Sequence, residues 1–318
     1  MPKIKKSPNV NKPQRYLLSS VHQALLGCGL ANMVRLAHRA FTRTRPEDVH
    51  LYRTAETEGR IGWETARLPK GVRIYAIGDM HGCDALVMRM IDLIRLDIRQ
   101  NGGDQECVVI GLGDYIDRGD ASAALLGHLA DLSSSSDFRF IAIKGNHEDL
   151  FIGFLENPDE DLGWLEMGGM ETLWSFGVRF PAGARRPRLR ELRDALVARM
   201  PPHVPIFLQN LRNHVEFGDF FFSHAGARPG IALADQKAYD LMWYRFNGRD
   251  PDTDFGKLLV HGHTPVRTPE FRANRVNIDT GAYATGRLTC LVLQGQDRRI
   301  IEVASDGSTR IQQVGVPA

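Results

Sequence analysis

The chain has 318 residues, of which 43% are hydrophobic and 25% charged, so it can bury a substantial core and has the composition of a globular protein. Its formal net charge of +2 argues against a general polyanion binder, and no nucleic-acid partner is expected. The four cysteines, Cys28, Cys83, Cys107 and Cys290, stand far apart, which argues against a disulfide framework or structural zinc site and favours a reducing cytoplasm.

The first part of the chain is basic. Residues 1–53 contain ten lysines and arginines but only two acids, whereas the remainder contains 30 basic and 36 acidic residues. Apolar residues at helical spacing predict an amphipathic leader helix through about residue 41. Such a helix could contact a membrane surface or an acidic partner weakly, although packing on the domain or a lack of fixed structure is the commoner outcome.

Residues 17–34 are the best candidate for a membrane span, since they carry no charge. Polar residues interrupt this stretch, so neither a span nor a secretory signal is favoured. Export through residues 1–28 is kept as the minor alternative to a cytoplasmic location.

The next segment, residues 46–68, is polar and without clear periodicity. It predicts a linker or a surface extension, so an extension over residues 1–68 is followed by the main domain, residues 69–318. Short apolar runs predict buried strands at residues 73–77, 107–112 and 138–143, and helical spacing predicts helices at residues 85–98 and 121–132. Repeated strand, polar motif and helix are typical of sheets whose ligands collect at the strand ends.

Residues 148–207 contain helical pieces broken by glycines and prolines, which predicts a helical cap region. Four arginines, Arg185, Arg186, Arg188 and Arg190, precede a helix predicted at residues 192–200. A solvated face is the commoner meaning of such a run, and contact with an anionic substrate is the alternative. Further strands are predicted at residues 215–217, 220–223, 258–261, 275–278, 288–293 and 300–303, giving a mixed α/β (α+β) fold class.

Five short motifs carry the chemistry. They are Gly-Asp-Met-His-Gly at residues 78–82, Gly-Asp-Tyr-Ile-Asp-Arg-Gly at 113–119, Gly-Asn-His-Glu at 145–148, Ser-His-Ala-Gly at 223–226 and Gly-His-Thr at 262–264. Together they supply two Asp, one Asn and three His side chains as hard or borderline metal ligands. Such a set predicts a two-metal centre that hydrolyses phosphate esters.

The ligands can be assigned by their place in the motifs. Asp114 is expected to bridge two cations because it is the middle acid between two incomplete sets. Asp79 and His81 would complete the first site. Three more ligands would complete the second, namely Asn146, His224 and His263. Each residue alone is usually a helix cap or a core histidine, and it is their joint occurrence that supports the assignment.

Other residues of the motifs remain for catalysis. His147 adjoins a metal ligand and can protonate a departing alkoxide, and Asp117 can orient its imidazole. Arg118 and Arg245 are suited to bind phosphate oxygens, and Asn146 is placed in that set as well. An arginine beside aromatic residues, such as Arg245, is often only a stacked surface residue. His261 is expected to lie behind the ligands rather than among them.

The motifs resemble those of the phosphoprotein phosphatase family of calcineurin-like metallophosphoesterases, particularly its bacterial and lambda-phage protein phosphatase branch. The resemblance covers roughly residues 70–305, and the first three motifs match the family pattern without a substitution. His224 and His263 match its last metal-ligand histidines, and residues 243–245 match its Trp-x-Arg phosphate clamp. The resemblance implies a β-sandwich flanked by helices and two divalent cations, manganese or else iron or zinc. It also implies in-line attack by a metal-bridging hydroxide without a phosphoenzyme.

Two substrate classes follow from this resemblance. The leading interpretation is a protein phosphatase acting on phosphoserine and phosphothreonine. The alternative is a dinucleoside polyphosphate hydrolase acting on diadenosine tetraphosphate, although the symmetrical hydrolases typically lack the acid at Asp117. Small phosphomonoesters are less favoured, and a catalytically silent scaffold is disfavoured because every expected metal and acid–base residue is present. The extension lies outside the family pattern, and Met167 stands where bacterial relatives often have Asn.

Overall fold

The computed structural model describes residues 60–159, 163–179, 188–246 and 253–315. Eleven strands and eight α-helices lie within these ranges. The strands are β1 (Val72–Ile77), β2 (Glu106–Gly111), β3 (Arg139–Ala142), β4 (His214–Phe217), β5 (Phe220–Ser223), β6 (Leu258–His261), β7 (Glu270–Phe271), β8 (Arg275–Asn277), β9 (Arg287–Gln294), β10 (Asp297–Ala304) and β11 (Thr309–Gln313). The helices are α1 (Asp84–Asn101), α2 (Ser122–Leu132), α3 (Asn146–Glu156), α4 (Gly169–Ser175), α5 (Leu189–Val197), α6 (His203–Gln209), α7 (Ala238–Trp243) and α8 (Ala282–Thr285).

The strands form two sheets. The first has the order β11-β10-β9-β1-β2-β3, and the second has the order β4-β5-β6-β8-β7. Strands β1, β2 and β3 are parallel because helices α1 and α2 connect them as crossovers. Parallel strands bring their carboxyl ends to one edge, and this edge carries the first three sequence motifs.

Alternate side chains of the first sheet face two different cores. On β1, Ile74 and Ala76 pack with residues of the second sheet such as Phe222, whereas Tyr75 and Ile77 pack with the helices. All six residues of β1 are buried for this reason, which explains its continuous apolar run. The predicted mixed α/β fold, a sandwich of two sheets flanked by helices, is therefore confirmed.

Most predicted elements lie within a few residues of the observed ones, and three differences have local causes. Helix α5 begins at Leu189 rather than at residue 192 because the Glu191 side chain accepts a hydrogen bond from the backbone N–H of Arg188. Strand β11 was not predicted, since it is an exposed edge strand with a mostly polar sequence. Strand β7, also unpredicted, has only two residues.

No helix in the described ranges has the length and apolar character needed to cross a membrane. The stretch at residues 17–34, the basic segment 1–53 and two of the four cap arginines, Arg185 and Arg186, lie outside those ranges.

Residues 60–68, which the sequence assigns to the extension, contribute to the core between the sheets. Trp63 is buried, its ring lies 4.8 Å from that of Phe271, and its Nε1 donates a hydrogen bond to the carbonyl of Gly315. The guanidinium carbon of Arg298 lies 4.6 Å from the centroid of the Trp63 ring. This side chain thus joins the start of the described chain to its end.

Replacing Trp63 by alanine is expected to lower the free energy of unfolding by about 3–5 kcal/mol, since a buried ring is lost and a cavity remains. Urea unfolding followed by circular dichroism measures the change. Trp174→Ala is the matched control, because Trp174 is 43% exposed and its loss should cost less than about 1 kcal/mol. Equal effects of the two substitutions would contradict the packing role of Trp63.

Candidate metal centre

Asp114 lies at the centre of a cluster of buried polar side chains. Its Oδ2 is 3.5 Å from His81 Nε2, and its Oδ1 is 3.3 Å from His224 Nε2. The two oxygens of one carboxylate therefore face two different histidines. A carboxylate in this arrangement can bridge two cations.

Four side chains form what we call the second donor group, namely Asp114, Asn146, His224 and His263. Asn146 Oδ1 lies 3.0 Å from both His224 Nε2 and His263 Nδ1, and these two nitrogens are 3.2 Å apart. Donor atoms about 2.1 Å from one cation and at right angles to each other lie about 3.0 Å apart. The spacing of this group therefore fits ligands that share one cation.

We call Asp79, His81 and Asp114 the first donor group. Asp79 is buried, and its carboxylate accepts a hydrogen bond from the backbone N–H of His263, at 3.0 Å to Oδ2. Burial, followed by the charges of Asp279 and Asp114, raises the pKa of Asp79 well above its usual value, although the charge of His224 and the His263 hydrogen bond oppose this. The structure also brings His147 to this group. One donor atom each of His81, Asp114 and His147 lies within 4.8 Å of the others.

Backbone carbonyls orient two of the histidines. His81 Nδ1 donates to the carbonyl of Ile116 at 2.8 Å, and His224 Nδ1 donates to the carbonyl of Leu112 at 2.9 Å. In the neutral form of each ring, Nε2 then offers its lone pair to the donor group. The His263 ring has the opposite orientation, since its Nδ1 rather than its Nε2 faces the second donor group. Its buried Nε2 has no hydrogen-bond partner among the described residues.

The backbone around these ligands approaches their side chains closely and adopts unfavourable conformations. A Cβ atom on Gly145 would lie 2.2 Å from Asp114 Oδ1, and one on Gly262 would lie 1.9 Å from Asp79 Oδ1. Within the described ranges, every non-glycine residue with a positive φ belongs to the predicted site. These residues are His81, Asp114, Asp117, Arg118 and His263. Such conformations are unfavourable for L-residues and persist only where the surrounding structure enforces them.

Glu148 stabilises the backbone conformation around Asp114. Its carboxylate accepts hydrogen bonds from the backbone N–H groups of Asp114, Tyr115, Ile116 and Gly145, at 2.8–3.3 Å. It thereby fastens the loop after β2 to the start of α3. Burial, together with the charge of Asp114, raises the pKa of Glu148 to about 7.

His147 and Asp117 form a buried pair. His147 Nδ1 donates to Asp117 Oδ2 at 2.7 Å, and Asp117 also accepts hydrogen bonds from Thr172 Oγ1 at 2.6 Å and from Trp164 Nε1 at 3.0 Å. Burial raises the pKa of Asp117. Burial alone would lower the pKa of His147, but Asp114 and Asp117 raise it above the usual value. Sequence reasoning did not identify Thr172 and Trp164, which belong to the cap region.

The two predicted phosphate-binding arginines are placed differently. Arg118 Nη1 lies 3.0 Å from His81 Nε2, and its Nη2 lies 3.0 Å from His147 Nε2, so the guanidinium spans both rings. Arg245 is exposed, and its charge adds to burial and to His224 in lowering the pKa of His263 to about 2. His261 is buried, donates from Nδ1 to the carbonyl of Gly262, and belongs to neither donor group.

Carboxyl groups are concentrated at this site. Five carboxylates are buried in it, namely Asp79, Asp114, Asp117, Glu148 and Asp279. Burial would lower the pKa of His224, yet the charges of Asp114 and Asp79 raise it to about 10. The sequence did not assign Asp279 to the site, and burial raises its pKa to about 6. This concentration of carboxylates, together with the spacing of the donor atoms, fits the binding of divalent cations.

The chain is similar in sequence to known phosphatases and phosphoesterases. The family model described as calcineurin-like phosphoesterase matches residues 72–287. Serine/threonine-protein phosphatase 1 of Salmonella typhimurium is 28% identical over 227 residues, which cover 70% of this chain and 92% of that protein. The asymmetrical bis(5'-nucleosyl)-tetraphosphatase PrpE of Anoxybacillus flavithermus is 26% identical over 238 residues, covering 68% and 88%.

A solved structure supports the fold. The cold-active protein-tyrosine phosphatase of a psychrophilic Shewanella superposes with a TM-score of 0.51 at 17% identity, covering 84% of this chain and 88% of that one.

Proposed function

This chain belongs to the calcineurin-like phosphoesterase family, and on that basis we propose that it is a metal-dependent protein phosphatase that hydrolyses phosphoserine and phosphothreonine. The observation that carries the proposal is the buried pair of His147 and Asp117, joined at 2.7 Å. The alkoxide of serine or threonine is a poor leaving group and needs a proton as it departs. A phosphoanhydride releases a much weaker base, for which a general acid matters less.

Each predicted residue has a role in this proposal. The first and second donor groups would each hold one divalent cation, manganese or else iron or zinc. When bound, these cations would polarise the phosphoryl oxygens and lower the pKa of a water molecule for direct in-line attack. Asp114 would hold both cations at a fixed separation, since its oxygens face different histidines.

The remaining residues would act on the substrate. Arg118 lies beside both His81 and His147, so its two Nη groups can bind the non-bridging phosphate oxygens. Asn146 and Arg245 are assigned to the same phosphate. His147 Nε2 would deliver the proton to the leaving oxygen, while Asp117 holds Nδ1 and stabilises the imidazolium.

A dinucleoside polyphosphate hydrolase is the second candidate function. The observation that favours it is that relatives with the two activities in their names are similarly close to this chain, at 28% and 26% identity. The same donor groups would serve, with a phosphoanhydride as the scissile bond.

We further propose a cytoplasmic location. The cysteines in the described ranges, Cys83, Cys107 and Cys290, are all free thiols, which suits a reducing compartment. The domain boundary at residue 69 and a contact of residues 1–53 with a membrane surface or an acidic partner stay predictions.

The experiment that tests the function compares kcat/KM for a pool of phosphoserine and phosphothreonine peptides with that for diadenosine tetraphosphate. Purified, manganese-loaded protein is used, and the Asp114→Asn variant serves as the blank. A preference of at least about tenfold for the peptides is expected, because the acid pair accelerates poor leaving groups selectively. A preference for the dinucleotide would overturn the proposal in favour of the second candidate.

A further inference from the structure

The cap region lies directly behind the buried pair of Asp117 and His147. Its part nearest to the pair consists of a short 3-10 helix, Trp164–Met167, and helix α4. Between them, the carbonyl of Gly168 accepts a hydrogen bond from the backbone N–H of Arg118 at 3.3 Å. A Cβ atom on Gly168 would lie only 2.8 Å from that nitrogen. A side chain at residue 168 would therefore separate the cap from the loop that carries Asp117.

Thr172, on α4, bonds to Asp117 in two directions. Its Oγ1 accepts a hydrogen bond from the backbone N–H of Asp117 at 3.0 Å and donates one to Asp117 Oδ1 at 2.6 Å. Asp117 has a φ of 72°, an unfavourable value for an L-residue. Ser122 Oγ also accepts from this N–H, at 3.1 Å, and shares the backbone contact. One buried hydroxyl of the cap thus holds both the backbone and the carboxylate of Asp117.

Trp164 supplies a second donor from the cap. Its Nε1–H lies 3.0 Å from Asp117 Oδ2 and 3.1 Å from Oδ1. The indole is held in place by Phe151 and Phe154, whose ring centroids lie 5.0 and 4.7 Å from its own. An indole nitrogen donates hydrogen bonds and never accepts them, so this contact favours the charged form of the carboxyl group.

These contacts determine which way the Asp117 carboxylate faces. Thr172 binds Oδ1, and Oδ2 accepts the hydrogen bond from His147 Nδ1 at 2.7 Å. Burial raises the pKa of Asp117, whereas its hydrogen bonds, including those from both cap residues, oppose the rise. An imidazole whose Nδ1 is held by a carboxylate keeps its other nitrogen in a fixed direction. Here His147 Nε2 faces Arg118, which is assigned to phosphate.

We propose that Thr172 and Trp164 are positioning residues for proton transfer, which act through Asp117 on the orientation of the His147 ring. The inference rests on the proposed function, in which His147 Nε2 protonates the leaving oxygen. Both cap residues are buried, at 0% and 1% exposure, so they act on the substrate only through the pair in front of them. The cap then contributes to the rate of the chemical step and not only to substrate binding.

The test removes one hydrogen bond at a time. Thr172→Val is expected to lower kcat/KM for a phosphoserine peptide by about 5–30-fold, the effect of one bond to a charged group. The loss for p-nitrophenyl phosphate should be less than about threefold, because its leaving group needs little protonation. Thr172→Ser keeps the hydroxyl and should retain at least about half of the wild-type value on both substrates. Trp164→Phe keeps a packed ring without the donor and should show the same selective loss as Thr172→Val.

Two neighbouring residues of α4 provide matched controls. Ser175 Oγ accepts from the backbone N–H of Ala123 at 3.0 Å, which joins α4 to α2 without a bond to Asp117. Ser175→Ala therefore removes a hydroxyl of the cap that does not reach the pair. Trp174→Phe is the control for the indole, since Trp174 is 43% exposed. Both controls should leave the ratio of the two rates unchanged.

A double-mutant comparison shows whether Thr172 acts through Asp117. In an Asp117→Ala background, which lacks the carboxylate, Thr172→Val should change the phosphoserine rate by less than about twofold. If the two losses multiply instead, the two residues act independently and the inference is wrong.

The position of the ring can also be measured without turnover. The proton on His147 Nδ1 gives a proton NMR signal that is identified by its absence from His147→Asn. In zinc-loaded Thr172→Val this signal should shift and exchange with water faster than in the wild type. In Ser175→Ala it should stay unchanged.

Other results would overturn the inference. Equal losses of Thr172→Val on the two substrates would mean that the hydroxyl only stabilises the fold. An unchanged rate with an unchanged NMR signal would mean that Asp117 is held without the cap. If the wild type cleaves diadenosine tetraphosphate but no phosphoserine peptide, the proposed function fails, and the NMR signal alone decides whether the cap positions His147.

Discussion

Asp114→Asn is expected to remove tightly bound cations and to lower kcat/KM for phosphoserine peptides by at least about 10³-fold. Asparagine has nearly the same shape as aspartate but lacks the negative charge and the second carboxylate oxygen. In the structure each oxygen of Asp114 faces a different histidine, His81 or His224. One substitution should therefore weaken both donor groups together, rather than one of them.

Metal content after gel filtration, measured by mass spectrometry, and the rate on the same sample provide the readout. Asp92→Asn is the matched control, because its side chain is 74% exposed and belongs to none of the motifs. A variant of Asp114 that keeps two cations and the wild-type rate would rule out the bridging role.

His147→Asn is expected to slow hydrolysis of phosphoserine peptides by about 10²–10⁴-fold while the bound metal is retained. The loss should be much smaller for p-nitrophenyl phosphate, because its leaving group needs little protonation. The reason lies in the geometry: Asp117 holds Nδ1 of the ring, and Nε2 lies beside Arg118, which is assigned to phosphate.

The metal assay is needed here, since His147 also lies close to His81 and Asp114. If metal content falls in step with activity, His147 is a ligand and not the general acid. Equal losses on both substrates would likewise contradict the acid role. His128→Asn, at an exposed histidine of α2, controls for the change of residue type.

The sequence predicted the parts of the structure that depend on local pattern. Buried strands such as β1 follow from continuous apolar runs, and the motifs follow directly after them, so the positions of Asp79 and Asp114 at one sheet edge were foreseeable. The short distances among Asn146, His224 and His263 agree with their assignment to one site.

The residues of the site that the sequence did not predict make contacts across large separations in the sequence. Thr172 and Trp164 reach Asp117 across 55 and 47 positions of the chain, and no spacing rule connects them. Asp279 likewise comes close to Asp79 only because the two sheets pack together. Glu148 was the exception with a readable signal, since an acid three residues after Gly145 is typical of a helix start. The exposure of Arg245 agrees with the alternative that the sequence left open, a surface arginine beside aromatic residues.

The five residues with positive φ have a consequence for how this protein can evolve. A left-handed backbone costs an L-residue on the order of 1–3 kcal/mol, and glycine at the same position avoids most of that cost. His81, Asp114, Asp117, Arg118 and His263 therefore lower the thermal resistance of the chain at the positions assigned to its chemistry. Selection for stability alone would act against these backbone conformations, whereas selection for the proposed chemistry would keep them. Thermal stability and catalytic activity therefore favour different backbone conformations at these five positions.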